Sequence, residues 1–413
     1  MSLADRSRVA TPSLVRHVVV ALAIVFGLVS VGSRFATLGP KDVTVNDFTQ
    51  DYVAARAWVH GANPYAPTRS LLAREVGPNA PFWPVSSRIQ RNPHPPAYVV
   101  AVSPFSLLPY KLARVLWLLA SAVFISCALA IVASALKWRR DAVVAVALGG
   151  LAIPIVQTDL ILGQSTGLLL LLFVLSWRLL QQHSDRCAGA LLGVAAAAKL
   201  FPVFMIVPLL RMRRFKAAVA MMLTAVIVEG ASMLLVGRGA TGTFLHVVTP
   251  ENTTFWRPAP VNISLPGVAF RWLTKNPWQT GMPHLPVIAF GLAALLGIAC
   301  ILGAMRTPAL RSNDVFWSAI PWMILGSFLA WAFYAVLALP LLMLVGDRYK
   351  GTIPPAAVLL AFALVVVGPP PGTQWTIPTP PTRQLVEFAL ATYGLLLLCA
   401  GEWGIVGRRR AVT

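Results

Sequence analysis

Residues 186–211 read RCAGALLGVAAAAKLFPVFMIVPLLR. Arg186 and Arg211 bound an apolar stretch whose only internal charge is Lys199. The interval has room for one ordinary membrane helix, which takes ~20 residues. Basic residues, however, mark the cytoplasmic side of a membrane protein. A segment with both ends on that side must cross an even number of times. The stretch therefore reads as a hairpin of two short or broken helices that turns near Lys199-Leu-Phe-Pro202. Pro202 supplies the break, because proline donates no backbone hydrogen bond and disrupts the preceding turn. Irregular backbone at membrane depth is tolerated only where protein or a wet cavity surrounds it, so the turn is expected to line a cavity.

The same reasoning extends along the chain. Apolar runs recur at Leu118–Leu136, Ala142–Ile155, Gly167–Trp177, Ala217–Val236, Leu285–Met305, Ile353–Gly368 and Phe388–Ala400. Basic clusters separate them: Arg6/Arg8/Arg16, Lys137/Arg139/Arg140, Arg178/Arg186, Arg211/Arg213/Arg214/Lys216, Arg306/Arg311, Arg348/Lys350 and Arg408/Arg409/Arg410. Placing every cluster in the cytoplasm makes Arg311–Arg348 a second hairpin, turning near Trp331-Ala-Phe-Tyr334. The count is then about twelve crossings with both termini inside, or ten if the two hairpins span differently. The expected fold is an all-α polytopic membrane protein, one integrated domain over 1–413, in the inner (plasma) membrane. Composition agrees: 57% of residues are hydrophobic and 12% charged, too little charge to cover a soluble domain.

The net charge of +20 does not indicate nucleic acid as a partner. A nucleic-acid-binding protein gathers its Lys and Arg on one solvated face, whereas here they sit between apolar runs. Cys127, Cys187, Cys300 and Cys399 form no CxxC or Cys/His cluster, so neither zinc nor a disulfide framework is indicated. The N-terminal segment, basic and then apolar, has no small-residue cleavage site before Arg34 and reads as a retained first helix.

Two long loops fall on the outer side, 38–95 and 238–283. In the first, 47–60 reads as an amphipathic helix (Phe48, Val53, Ala54, Ala57, Trp58) stopped by Gly61-Ala-Asn-Pro-Tyr65 and expected to lie on the membrane surface. The second is rich in Pro, Trp and Asn and is expected to rest on the bilayer. A Pro/Thr-rich third loop, Pro369–Thr382, carries no evident chemistry.

Only 14 residues are acidic, so each can be weighed. Asp42, Asp47, Asp51, Glu75, Asp159 and Glu251 fall at or beyond the outer face. Asp47 opens the surface helix, where capping alone would explain it, and Asp51 lies one turn on. A transfer to a hydroxyl acceptor needs a carboxylate base within reach, and one suffices when phosphate, a stable anion, is the leaving group. Cations on the same side suit a lipid phosphate: Arg91 and His94 before Pro95-Pro96, Lys199 at the hairpin apex, and Arg257 and Arg271 in the second loop. Lys199 could instead snorkel to the interface. Glu229 could pair with another helix, and Asp159 and Gln164 could simply bracket the turn Leu160–Gly163. No Walker loop, GxGxxG, GxSxG or HExxH occurs, and no soluble domain is present to hold a nucleotide sugar.

Five short motifs, in order across most of the chain, resemble glycosyltransferase family 87, the polyprenol-phosphate-mannose-dependent mannosyltransferases of the GT-C superfamily. They are Asp47-Phe-Thr-Gln-Asp-Tyr52 with Ala54-Ala55 and Gly61-Ala-Asn-Pro-Tyr65; His94-Pro-Pro96 with Ser103-Pro104 and Leu108-Pro109; Gly163-Gln164-Ser165; Lys199-Leu-Phe-Pro202; and Asn262-Ile-Ser264. The resemblance implies a GT-C-type helix bundle with its active site at the extracytoplasmic face. It implies inverting transfer of a hexose, by default mannose, from a polyprenyl-phosphate donor to a lipid or glycan acceptor. It puts the base on Asp47, with Asp51 second, and Lys199 and His94 near the donor phosphate. Arg91, Gln164, Asn262, Trp331 and Tyr334 complete the candidate substrate-binding set. The late hairpin departs from the family, whose members often have Trp followed by one or two histidines: Trp331 fits, Tyr334 stands in for a histidine, and Phe333 does not. No metal or cofactor is expected. The expected partners are membrane lipids, the lipid-linked sugar and its acceptor. A transporter or flippase of a lipid-linked or small substrate is the competing reading, for which the two broken hairpins speak and the missing internal repeat does not.

Overall fold

A computed structural model describes residues 3–37, 47–77, 91–259, 262–278, 283–307 and 314–348. These residues form helices and no strand; one antiparallel bridge pairs Asn262 with Trp331. In chain order the helices are α1 (Leu3–Thr37), α2 (Asp47–Val59), α3 (Thr68–Glu75), α4 (Pro96–Ser106), α5 (Tyr110–Ala135), α6 (Arg140–Gly149), α7 (Pro154–Leu162), α8 (Thr166–Gln181) and α9 (Asp185–Ala198). A 3-10 stretch, Phe201–Met205, leads into α10 (Ile206–Arg211) and α11 (Phe215–Val236). Then come α12 (Arg238–Thr243), α13 (Thr249–Trp256), α14 (Leu265–Leu273), α15 (Pro286–Arg306) and α16 (Asp314–Gly326). A further 3-10 stretch, Ala332–Ala338, precedes α17 (Leu339–Arg348).

Among the described residues, four helices are long and apolar enough to cross a membrane: Leu14–Phe35 within α1, α5, α11 and α15. The pair Arg140–Ala152 and Pro154–Leu162, bent by 60°, would make a fifth. The count of twelve is thus not established. The other apolar helices, such as Thr166–Gln181 and Phe201–Arg211, run 10–17 residues, less than the ~20 a straight span needs. The runs expected at Ile353–Gly368 and Phe388–Ala400, the loop Pro369–Thr382, Asp42, Arg311, Lys350, Cys399 and Arg408–Arg410 lie outside the described residues.

The first hairpin is present. α9 stops at Ala198, Lys199 is extended (φ −145°, ψ 132°), and the chain returns through the 3-10 stretch and α10. Its two ends meet where Arg214 donates to Asp185 at 3.1 Å. α9 runs close beside α11, with Gly189 facing the backbone of Ala217 and Gly193 that of Met221; small residues permit this approach where apolar burial cannot drive association. The second reversal falls between Gly326 and Ala332, with Trp331 extended.

Polar contacts tie several helix ends to their neighbours. Arg16 pairs with Asp141 (3.1 Å), Trp138 Nε1 donates to Asp347 (2.7 Å), and Arg211 Nη1 donates to the carbonyl of Ala304 (2.7 Å). The outward faces of α1, α11 and α15 are apolar, with Leu22, Phe26, Val226, Leu234, Val287 and Leu295 all exposed. Whole helix faces of exposed apolar residues require a non-aqueous neighbour.

One sequence expectation is corrected. The helix at 47–60 forms as α2 but does not lie on a surface. Phe48 through Ala55 and Ala57 are buried, because α2 is walled by aromatic and apolar side chains. Phe48 stacks on Trp117 (5.2 Å), Tyr52 meets Tyr110 edge-on (5.1 Å), and Val99 and Val102 of α4 complete that core. Its polar residues are absorbed too: Thr49 bonds the Tyr110 hydroxyl (2.7 Å) and Tyr52 donates to Leu108 O (2.7 Å). Likewise, Trp256 and Trp278 of the second loop pack on each other and, through Trp256, on Trp331, while Trp272 remains exposed.

Candidate active site

Asp47 and Asp51 sit one turn apart on α2 and share a face. The Asp47 carboxylate accepts a hydrogen bond from the Gln164 side-chain amide. The Gln164 carbonyl oxygen in turn accepts from Lys199 Nζ at 2.9 Å. Only this orientation of the amide serves both neighbours, since a carboxylate accepts and an ammonium donates. Lys199, 4% exposed, also reaches the Tyr334 hydroxyl at 3.5 Å and lies 5.0 Å from the centre of that ring. Phe201 stacks on Tyr334 at 4.5 Å, so the two hairpin turns meet at this point.

The turn that presents Gln164 is built from α5 and α7. Gly163 ends α7 with φ 67°, a left-handed conformation that favours glycine. Trp117 Nε1 donates to its carbonyl at 2.8 Å and Arg114 Nη2 donates to Ile161 O at 2.5 Å. A Cβ at Gly163 would stand 2.7 Å from Phe48 Cβ and would also strike the Arg114 guanidinium.

Asp51 forms a second pair. It is 2% exposed and its Oδ1 lies 2.6 Å from His94 Nδ1. With the carboxylate ionised, the ring N–H donates. His94 is fixed on its other sides: its backbone N–H donates to Asn92 Oδ1 (2.9 Å), its carbonyl accepts from the Tyr65 hydroxyl (3.1 Å), and its ring lies 4.5 Å from that of Tyr98. Just beyond, Glu229 of α11 accepts the Ala97 N–H at 3.2 Å at the start of α4, so this acid caps a helix rather than pairing with another side chain. Asp51, His94 and Lys199 all act electrostatically on Asp47.

These surroundings set the proton affinity of Asp47. Enclosure by protein raises its pKa most, the neighbouring Asp51 charge adds to the rise, and His94, Lys199 and Gln164 partly offset it, leaving a value of about 6. The side chain is nevertheless partly exposed. The arrangement offers one openable carboxylate, one buried cation held a single amide away, and a carboxylate–imidazole pair beside them. Such a set can accept a proton at one point while stabilising an anion at another.

Of the residues expected from sequence, Asp47, Gln164, Lys199 and Tyr334 form one hydrogen-bonded chain, and Asp51 and His94 sit beside it. Arg91 lies elsewhere: it donates to Tyr65 O (2.6 Å) and pairs with Glu251 (3.4 Å), tying the first loop to the second. Asn262 has every side-chain valence taken by backbone. It donates to Arg257 O (2.8 Å) and Phe328 O (3.0 Å), and accepts from the N–H of Ser264 (3.1 Å) and Ala330 (2.9 Å). It thus places Trp331 and is left nothing with which to bond a ligand. Phe333 stacks parallel to Trp331 at 6.0 Å and meets Tyr334 edge-on. Asp159, weighed from sequence only as a turn former, is fully buried and within electrostatic range of Lys199. Tyr98, Arg114 and Trp117 were not singled out from sequence. An arginine inside the apolar run of α5 was the one available signal.

The family model for glycosyltransferase family 87 matches residues 93–330, more than half of the chain. That range includes His94, Gln164, Lys199 and Asn262 and leaves out Asp47, Asp51, Trp331 and Tyr334. No curated protein and no solved structure matches the chain.

Proposed function

This chain belongs to glycosyltransferase family 87, and on that premise we propose that it transfers a hexose, most simply mannose, from a polyprenyl-phosphate donor to a hydroxyl of a lipid or glycan acceptor. The transfer inverts the anomeric carbon and takes place at the extracytoplasmic face of the plasma membrane. Membership in a glycosyltransferase family leaves the transporter alternative without support.

The observation that carries the reading is Gln164, which joins Asp47 to Lys199. Asp47 is the base. It takes the proton from the acceptor hydroxyl as that oxygen attacks the anomeric carbon from the face opposite the phosphate. The carbon–oxygen bond to phosphate breaks, and its electron pair leaves with the lipid phosphate. Lys199, with the Tyr334 hydroxyl beside it, receives that anion. Preorganised charge of this kind needs no reorganisation as the leaving group develops its charge. A base and a cation held apart by one amide can stand on opposite sides of a reacting centre without collapsing into a salt bridge. The His94–Asp51 pair borders the donor phosphate, Asp51 fixing the ring and His94 adding hydrogen-bonding capacity. Trp331 forms part of the sugar-facing wall, with Asn262 holding the loop behind it. Arg91 acts at one remove by joining the two outer loops.

The extracytoplasmic placement is supported by the charge distribution. The arginines at the helix ends, among them Arg16, Arg211 and Arg214, pair with Asp141, the carbonyl of Ala304 and Asp185 and with none of the Asp47 cluster, and basic ends face the cytoplasm. Both ends of the chain would then be cytoplasmic.

Purified protein supplied with polyprenyl-phosphate-[14C]mannose and envelope lipids tests the proposal. The expected result is a labelled product that disappears in folded Asp47→Asn. Product that persists in this variant moves the base elsewhere. Absence of product from every polyprenyl-phosphate sugar tried overturns the donor class.

A further inference from the structure

Arg257, just after α13, stands outside the Asp47–Gln164–Lys199–Tyr334 chain. Its guanidinium carbon lies 4.3 Å from the ring centre of Phe270, 5.4 Å from that of Phe290 and 5.6 Å from that of Phe328. The three rings come from α14, α15 and the turn after α16, so three separate elements converge on one cation. Among the described residues, none of the carboxylate ion pairs includes Arg257.

The loop beneath it is rigidly held. Asn262 Nδ2 donates to Arg257 O at 2.8 Å, and the buried Arg271 donates to the carbonyls of Pro258 (3.2 Å), Ala259 (2.8 Å) and Asn262 (2.7 Å). The backbone is thus fixed from both sides, and the Arg257 side chain is directed into the rings. Aromatic faces attract a cation without neutralising it. A guanidinium held by rings keeps its charge and its N–H donors, the groups that grip a phosphate.

The surroundings identify what would bring such a phosphate. Phe290 and Phe328 are 54% and 55% exposed, and the first turn of α15 also exposes Val287 and Ile288. α15 is one of the helices long and apolar enough to cross a bilayer. The cation therefore sits where an apolar, outward-facing helix begins, and the end of a spanning helix is where headgroup phosphates meet acyl chains.

We propose that Arg257, caged by Phe270, Phe290 and Phe328, binds the phosphate of an anionic membrane phospholipid whose acyl chains lie along Val287, Ile288 and Phe290 of α15. A merely packed side chain would not distinguish lipids by charge, whereas this site discriminates an anionic from a zwitterionic headgroup.

Full-length protein in neutral detergent would be titrated separately with phosphatidylglycerol, phosphatidylcholine and inorganic phosphate. Bound lipid would be counted by native mass spectrometry and stability read as Tm. Phosphatidylglycerol is expected to be retained and to raise Tm more than phosphatidylcholine does. In Arg257→Gln that preference should fall about tenfold, the loss of one charge-assisted contact, while Arg257→Lys keeps part of it. Equal retention of phosphatidylglycerol by wild type and Arg257→Gln overturns the site. Stabilisation by inorganic phosphate as large as that by phosphatidylglycerol overturns the lipid assignment. If Arg257→Gln does not fold, the wild type decides: no preference for the anionic lipid, or one insensitive to added salt, overturns the proposal.

Discussion

His94 Nδ1 lies 2.6 Å from Asp51 Oδ1, and this contact gives two carboxylates only one helical turn apart different partners. Asp51 is committed to orienting an imidazole. Among the described residues Asp47 is hydrogen-bonded by the Gln164 amide alone, and it stays partly exposed, which leaves it the carboxylate open to an incoming hydroxyl.

The first expectation follows from that division. Asp47→Asn removes the base and should lower kcat by roughly 10²–10⁴-fold, the usual worth of general base catalysis. Asp51→Asn keeps an oxygen for the His94 ring and should lose only about tenfold, as expected for a weakened charge-assisted hydrogen bond. Sugar transfer by the two purified variants checks the order, and a larger loss in Asp51→Asn would exchange the two roles.

The pH dependence follows from the environment of Asp47. Its pKa is raised to about 6, first by burial and then by Asp51. A base works only when ionised, so kcat/KM should fall as pH drops through about 6 and level off above it. Removing the Asp51 charge in Asp51→Asn should move the falling limb to lower pH. Gln164→Glu, which puts a new negative charge against Asp47, should move it higher. A limb that stays put in both variants would show that another group titrates.

Gly163 is a test of the turn rather than of the chemistry. Gly163→Ala meets a positive φ and has no room against Phe48 Cβ and the Arg114 guanidinium. It should destabilise the protein by about 1–3 kcal/mol, the range for strained left-handed backbone, and weaken activity by displacing Gln164. Thermal unfolding in detergent, run beside the transfer assay, would detect both.

Glu229 should act through α4. Glu229→Ala removes the acceptor for the Ala97 N–H and should cost about 1 kcal/mol, as loss of a helix cap does. Glu229→Gln keeps an acceptor oxygen and should restore most of it. If both variants match wild type in Tm, the contact contributes nothing to the start of α4.

Much of this was legible in linear order. Apolar runs between basic clusters gave a membrane protein, and the excess of cations at both ends of Arg186–Arg211 called for a reversal at Lys199, because charge placement relative to a bilayer depends on order alone. The short motifs supplied Asp47, Gln164 and Lys199, and the late hairpin Tyr334, as separate candidates. Their assembly was not legible. Residues 47, 164, 199 and 334 are joined by side-chain hydrogen bonds across 117, 35 and 135 positions, and no local period encodes which helix ends meet. The burial of α2 was likewise decided by its neighbours: Trp117, Tyr110 and Val99 cover faces that looked solvated in isolation. The different partners of Asp47 and Asp51 and the commitment of Asn262 to backbone were settled by tertiary contacts as well, since a side chain's partners depend on distances that chain order does not fix. Composition and order determined the membrane, the family motifs and the breaks; packing alone decided which of the scarce charged groups share a site.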